Sequence, residues 1–294
     1  MRAAGELTVL AGQRISWRAE PPVVLRRTGP TRMHLVQAAG GPLGGDHLEL
    51  RLSLAAGTEL TLATAAATVA QPGRPGAGPA YWTVTAELAE GARLRWLPEP
   101  TVVCDGAELH ASLRLTMAEG AGALVREQVQ LGRHGQRGGR YRGLLAADYA
   151  GTPLVRHSTV LDGADPALTG PGGTGGQRLV GTLLGAGAGF GAGVGTGAGV
   201  GTGADAVGAF DGLAGWVAAG DLQAGAGAGL EAGAPVGECA GLRWARHELV
   251  GPGWLVVALG TDPVALSRVL SGGAPRATVA AGSDSTTVPA TAPG

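Results

Sequence analysis

Met33 to Leu54 reads MHLVQAAGGPLGGDHLELRLSL. Two Gly-Gly pairs, Gly40-Gly41 and Gly44-Gly45, bracket Pro42-Leu43, and Asp46 follows at once. Leu48, Leu50, Leu52 and Leu54 then alternate with charged or polar residues, the two-residue period of a strand buried on one face. Glycine at four of six consecutive positions specifies a backbone held in conformations that side chains would forbid. The stretch therefore predicts a tight, glycine-built turn that delivers one carboxylate at the mouth of a strand.

The alternation spreads outward from there. Leu60 and Leu62 alternate with Glu59 and Thr61; Trp82, Val84, Ala86 and Leu88 form a second apolar face; Leu109, Ala111, Leu113, Leu115 and Met117 form a third. Gly-small pairs restart the strands at Gly57-Thr58, Gly91-Ala92, Gly106-Ala107 and Gly122-Ala123. From Leu7 to Val160 the pattern is almost wholly β. Strands of similar length with recurrent restarts predict an all-β fold, built as stacked antiparallel layers or as a solenoid-like array. Near the C-terminus, Trp254 to Leu259 reads as a buried strand. Asp262-Pro263 supplies a helix N-cap and a first-turn proline, so Val264 to Leu270 is expected to be a short helix, one of one or two in the chain.

These signals divide the chain. Residues 1–162 form the main β region. Residues 163–234 read as a flexible Gly/Ala-rich insertion, because Gly185 to Gly203 is almost pure Gly, Ala, Val and Thr, with little side-chain area to bury. Residues 235–272 return as strands and a short helix that complete the same domain, and residues 273–294 read as a disordered tail.

Composition excludes several functions. Net charge is −1, against a basic nucleic-acid footprint. The chain has no lysine, so a Walker lysine, a Schiff-base lysine and a kinase strand lysine are all ruled out. Cys104 and Cys239 form no CxxC, His34, His110, His134, His157 and His247 do not pair at metal-ligand spacing, and no GxSxG or HExxH occurs. No catalytic constellation is present, and the expectation is a protein that is not an enzyme. The N-terminal MRAAGELTVLAG lacks a secretory apolar core and no apolar run spans a bilayer, so the expected location is the cytoplasm, with no membrane partner.

Three side chains stand out. Asp46 is either a turn carboxylate bonded to backbone amides or a polar group lining a channel or partner surface. Glu127 falls in the same phase as Val125, Val129 and Leu131, so the strand turns it inward. An inward carboxylate requires a partner, either a buried Arg or a polar, water-filled passage; Arg133 is its expected electrostatic neighbour. Cys104 is either a buried apolar thiol or a soft metal ligand. Trp17, Trp82, Trp96, Trp244 and Trp254 read as core residues.

The AAGGPLGGD turn resembles the signature of the UreD (UreH) family of urease accessory proteins. The likeness continues through Leu25-Arg26-Arg27-Thr28-Gly29-Pro30, Thr64-Ala65-Ala66-Ala67-Thr68, Leu94-Arg95-Trp96-Leu97-Pro98-Glu99-Pro100 and Arg126-Glu127 with Leu131-Gly132-Arg133, in the family's order. Arg140 stands where many members place a Glu. The resemblance implies a non-enzymatic urease maturation protein. Such a protein docks on apo-urease, binds UreF, works with the GTPase UreG and passes nickel through an internal polar passage. It also implies that nickel is bound only transiently, with no tightly held cofactor. Asp46 and Glu127 would be weak ligands, Cys104 a lesser candidate, and Gly40, Gly41, Gly44, Gly45 and Arg133 part of the passage or partner surface. The alternative is a β-sandwich protein-binding module with no metal. A metal-dependent hydrolase on a β scaffold would need clustered His and carboxylates, which the sequence lacks.

Overall fold

The computed structural model describes residues 1–170, 172–189, 236–239 and 242–270. Two β-sheets face each other across one interior. The first runs, edge to edge, β14 (Thr152–Asp162), β13 (Arg140–Tyr149), β11 (Glu108–Met117), β8 (Ala80–Leu88), β5 (His47–Leu54), β1 (Arg2–Leu10) and β2 (Arg14–Ala19). The second runs β16 (Val236–Cys239), β17 (Leu242–Glu248), β18 (Gly253–Gly260), β15 (Leu179–Gly187), β12 (Gly122–Leu131), β9 (Arg93–Leu97), β6 (Glu59–Thr64), β4 (Arg32–Gln37) and β3 (Val23–Arg27). Two short strands extend it, β7 (Thr68–Ala70) and β10 (Thr101–Val103), which pair with each other, while β10 also pairs with β12.

The chain shuttles between the sheets, from β5 to β6, β8 to β9 and β11 to β12. Each return lays the new strand parallel to the one before, as in Leu50↔Val84 and Leu60↔Leu94. The centre is therefore a β-solenoid, and antiparallel pairs are confined to the flanks. Of the two architectures the periodicity allowed, the solenoid is the one formed. The corners repeat. Ala55-Ala56-Gly57-Thr58, Ala89-Glu90-Gly91-Ala92, Cys104-Asp105-Gly106-Ala107 and Ala118-Glu119-Gly120-Ala121 are each closed by a bond of 3.0–3.2 Å from the fourth N–H to the first carbonyl. Each has glycine at positive φ in the third position, the requirement of a type II turn. The fourth restart thus turns on Gly120, and Gly122 already lies in β12.

Leu7, Leu50, Leu52, Leu62, Leu94 and Val125 pack one apolar cluster between the sheets, and Val103, Leu109, Val129, Leu131 and Tyr141 pack another. A third, with Leu124, Leu179, Leu183 and Trp244, lies on the outer face of the second sheet. It is covered by the short helix α2 (Pro263–Val269), which follows α1 (Pro166–Thr169) in the chain and buries Leu266. Asp262 caps α2 as expected, accepting the Val264 N–H at 2.8 Å.

Two expectations are corrected. The region read as an insertion from residue 163 is built into the fold as far as Ala188: α1 lies in it, and β15 is buried along its length between β12 and β18. Gly185, Ala186 and Gly187 belong to that strand, and a methyl on Gly187 would overlap the Ala121 carbonyl oxygen. The remainder to residue 234, and the tail from 273, lie outside the described residues. Trp17, read as core, is 42% exposed: β2 is an edge strand, with no neighbour beyond it among the described residues.

Candidate functional site

The glycine turn fits against backbone. A methyl on Gly41, which has φ of 100°, would overlap the Val69 carbonyl, and one on Gly44 would lie 2.7 Å from the Gly73 nitrogen. Asp46, buried at the end of this turn, accepts the Leu43 N–H at 3.0 Å and the Met1 ammonium at 2.8 Å. Of its two readings, these contacts are those of a turn carboxylate. His47 points to the opposite, exposed face.

Around this turn the second sheet is interrupted. β12 pairs with β9 as far as Val125↔Trp96, and with β10 only from Val129↔Thr101. Between these registers, Leu97–Pro100 carries one residue more than Arg126–Gln128. That is the count of a β-bulge, and Pro98 and Pro100 have no N–H to give the ladder. The groups left over find other partners. Glu99 N–H donates to Thr64 Oγ1 at 2.9 Å, Thr68 N–H donates to the Pro100 carbonyl at 3.0 Å, and Arg126 donates to the Leu97 and Pro98 carbonyls at 2.9–3.3 Å.

Inside the break lies a cavity of about 60 Å³, between the two inner apolar clusters. Room of this size corresponds to on the order of four waters. Its walls carry Trp82, Trp96, Thr101, Glu127, Tyr141 and Leu145, and it reaches Glu99, whose side chain is 45% exposed. A surface depression of about 260 Å³, framed by Gly40, Gly41 and Ala65–Ala67, shares Leu35, Gln37 and Thr64 with the cavity. Gln37 Nε2 donates to Thr68 Oγ1 at 3.2 Å where the two meet.

Glu127 lines this cavity, as its phase with Val125 and Val129 requires, and is partly buried in the strand. Its partner is neither an Arg nor Arg133: Tyr141 Oη donates to Glu127 Oε1 at 2.5 Å. Arg133 is exposed in the turn beyond β12, where its N–H donates to Gln136 Oε1. The expectation failed because the chain reverses at Gly132 and carries Arg133 out of the sheet. Burial raises the Glu127 carboxyl above its ordinary range, against the Tyr141 hydrogen bond, which pulls it down. Burial and the neighbouring carboxylate hold Tyr141 well above the ordinary phenol.

Tyr141 gave a usable signal. It stands between Arg140 and Arg142, and alternation puts the two arginines outward and the ring inward. Gly143 makes the reach possible, since a methyl there would lie 2.8 Å from the Tyr141 ring. Cys104 is buried among Val103, Leu109 and Leu131 and does not line the cavity. Arg140 lies on the outer face, bonded to Asp162 at 2.8 Å. Among the described residues, no three His, Cys, Asp or Glu side chains form a metal-ligand cluster, and no helix is long and apolar enough to cross a membrane.

The blocks that build this site are those of a known family. The UreD urease accessory protein family matches residues 8–234. The chain belongs to that family. It is 36% identical to the urease accessory protein UreD of Frankia alni, over 86% of this chain and 84% of the relative. To the protein of the same name from Frankia casuarinae it is 34% identical, over 90% and 84%. The Parafrankia UreD is 38% identical, over 86% and 79%. Within a UreD chain, the glycine turn, the small-residue run Ala65–Ala67, the Leu97–Pro100 segment and Arg126-Glu127 are thus four walls of one cavity and its vestibule.

Proposed function

We propose that this chain is a non-enzymatic urease maturation protein that conducts nickel to apo-urease. The observation that carries the reading is Glu127, a buried carboxylate whose one hydrogen-bond partner among the described residues is neutral and which faces a polar-walled cavity. A carboxylate kept in such a site without an ion-pair partner is costly to ionise, and its retention is what a group that meets an incoming positive charge requires. Nickel is the cargo here, not a resident cofactor. Carboxylate, hydroxyl and carbonyl oxygens are hard ligands that hold nickel weakly and release it, unlike a cluster of His and Cys.

In this reading the depression framed by Gly40, Gly41 and Ala65–Ala67 is one entry, Gln37, Thr64 and Thr68 line the throat, and Glu127 is the acidic station within. Asp46 serves by fixing the turn, and not as a ligand, because its oxygens are already bonded. UreF, UreG and apo-urease are the partners, and the complex works in the cytoplasm. The test is activation of apo-urease by the purified chain and those partners, with nickel in urease measured by atomic absorption. The reading requires nickel loading to depend on this chain and to fall when Glu127 is replaced by Gln.

A further inference from the structure

Arg126 occupies an unusual place. It follows Val125 and precedes Glu127, so its side chain leaves the strand on the face opposite the carboxylate. There it is almost fully buried, and it lines the same cavity as Glu127 and the exposed Glu99. Nη2 donates to the Pro98 carbonyl at 2.9 Å and Nη1 to Ser267 Oγ of α2 at 3.1 Å, and Glu99 Oε1 stands 3.7 Å away. Burial lowers the Arg126 pKa from the ordinary arginine value and Glu99 pulls it back up, and a guanidinium held by carbonyls and a hydroxyl stays charged. A fixed positive charge at the wall of so small a cavity repels any cation entering it.

We propose that Arg126 is an electrostatic latch on the cavity, a cation pinned across the break in the sheet by Leu97, Pro98 and Ser267 that bars other cations from Glu127 on the Glu99 side until α2 moves. The latch deepens the nickel-conduit reading and rests on it for its biological sense, but its electrostatics are testable without nickel. Ser267 ties the guanidinium to α2, so displacement of that helix by a docked partner removes one of the bonds that hold the charge in place. Glu99, already within ion-pair distance at 3.7 Å and exposed, is the acceptor toward which the freed guanidinium swings.

The test places a thiol in the cavity wall by Thr101→Cys, in a chain whose Cys104 and Cys239 are replaced by Ala. Its reaction rate is measured with silver ion and with neutral methyl methanethiosulfonate, and the ratio of the two rates reads charge separately from access. Arg126→Gln is expected to raise the silver-to-neutral ratio about tenfold or more, and Arg126→Lys to leave it near the wild-type ratio. Ser267→Ala, a milder change that keeps the guanidinium and its backbone bonds, is expected to raise the ratio by a smaller factor. Thermal melts accompany each variant, and if Arg126→Gln fails to fold the Ser267→Ala result decides. An unchanged ratio in folded Arg126→Gln and Ser267→Ala, or equal acceleration of both reagents, overturns the latch. A raised ratio supports it even where Glu127→Gln leaves urease nickel unchanged, an outcome that defeats the conduit reading alone.

Discussion

The Tyr141 hydroxyl lies 2.5 Å from a carboxylate oxygen of Glu127, and the two residues come from opposite sheets. This bond spans the solenoid interior beside the cavity, and it joins a strand of the first sheet to the one strand that both β9 and β15 flank. Tyr141→Phe is expected to destabilise the fold by about 1–3 kcal/mol, because the buried carboxyl loses its hydrogen bond. Denaturant unfolding measures it. The double variant with Glu127→Gln is expected to cost less than the sum of the singles, since the two groups share one interaction.

The pH dependence of stability follows from the same burial. Burial raises the folded-state Glu127 carboxyl above its ordinary value of 4.5, so the folded chain holds a proton that the unfolded chain has released. Stability is then lost as pH rises from that value through the folded-state one, and the loss persists above it. Glu127→Gln cannot ionise. The melting temperature of Glu127→Gln relative to wild type is expected to climb as pH is raised from about 4 to 8, and a difference flat in pH contradicts the assignment.

Gly143 is a second control on the pair. Ala at this position places its methyl against the Tyr141 ring, and the ring must tilt away from Glu127. Gly143→Ala is expected to destabilise by about 1–3 kcal/mol, as overpacking of a filled core does. Its cost is expected to shrink in a Tyr141→Phe background, where no hydroxyl has to be kept in place.

The glycine turn makes a backbone prediction. Gly44→Ala puts a methyl on the Gly73 and Gly78 backbone, which cannot swing aside as a side chain would. Loss of more than about 2 kcal/mol is expected, of the order of other forced backbone shifts. Proteolysis near Gly73 to Pro79 is expected to speed up. Gly40→Ala, where the nearest atom is the flexible end of Gln71, is expected to cost far less.

Much of this architecture was legible in the sequence. Period-two alternation located most of the strands between Leu7 and Val160, and its phase turned Glu127 inward. Alternation fixes which face is buried but not which strand lies beside it, so the choice between parallel coils and antiparallel layers was open until the register was seen. The same blindness hid Tyr141, which is local to Arg140 and Arg142 in the chain but reaches Glu127 only across the interior. β15 was missed for a compositional reason. Its residues include Gly181, Gly185, Ala186 and Gly187, a poor strand composition, and what holds them is burial between two neighbouring strands. Gly181 is required there because a side chain would overlap Leu270 beside α2.

The central claim is that Glu127 serves the passage of a divalent cation and not the fold alone. The decisive measurement is the nickel content of urease activated with the Glu127→Gln chain, taken on protein whose melting temperature and complex assembly are measured in parallel. Gln matches the carboxylate in size and still accepts the Tyr141 hydrogen bond, but it offers no negative charge. The account predicts a fold and complex close to wild type with urease nickel reduced several-fold. Full nickel loading by a stable, assembled Glu127→Gln chain would contradict it.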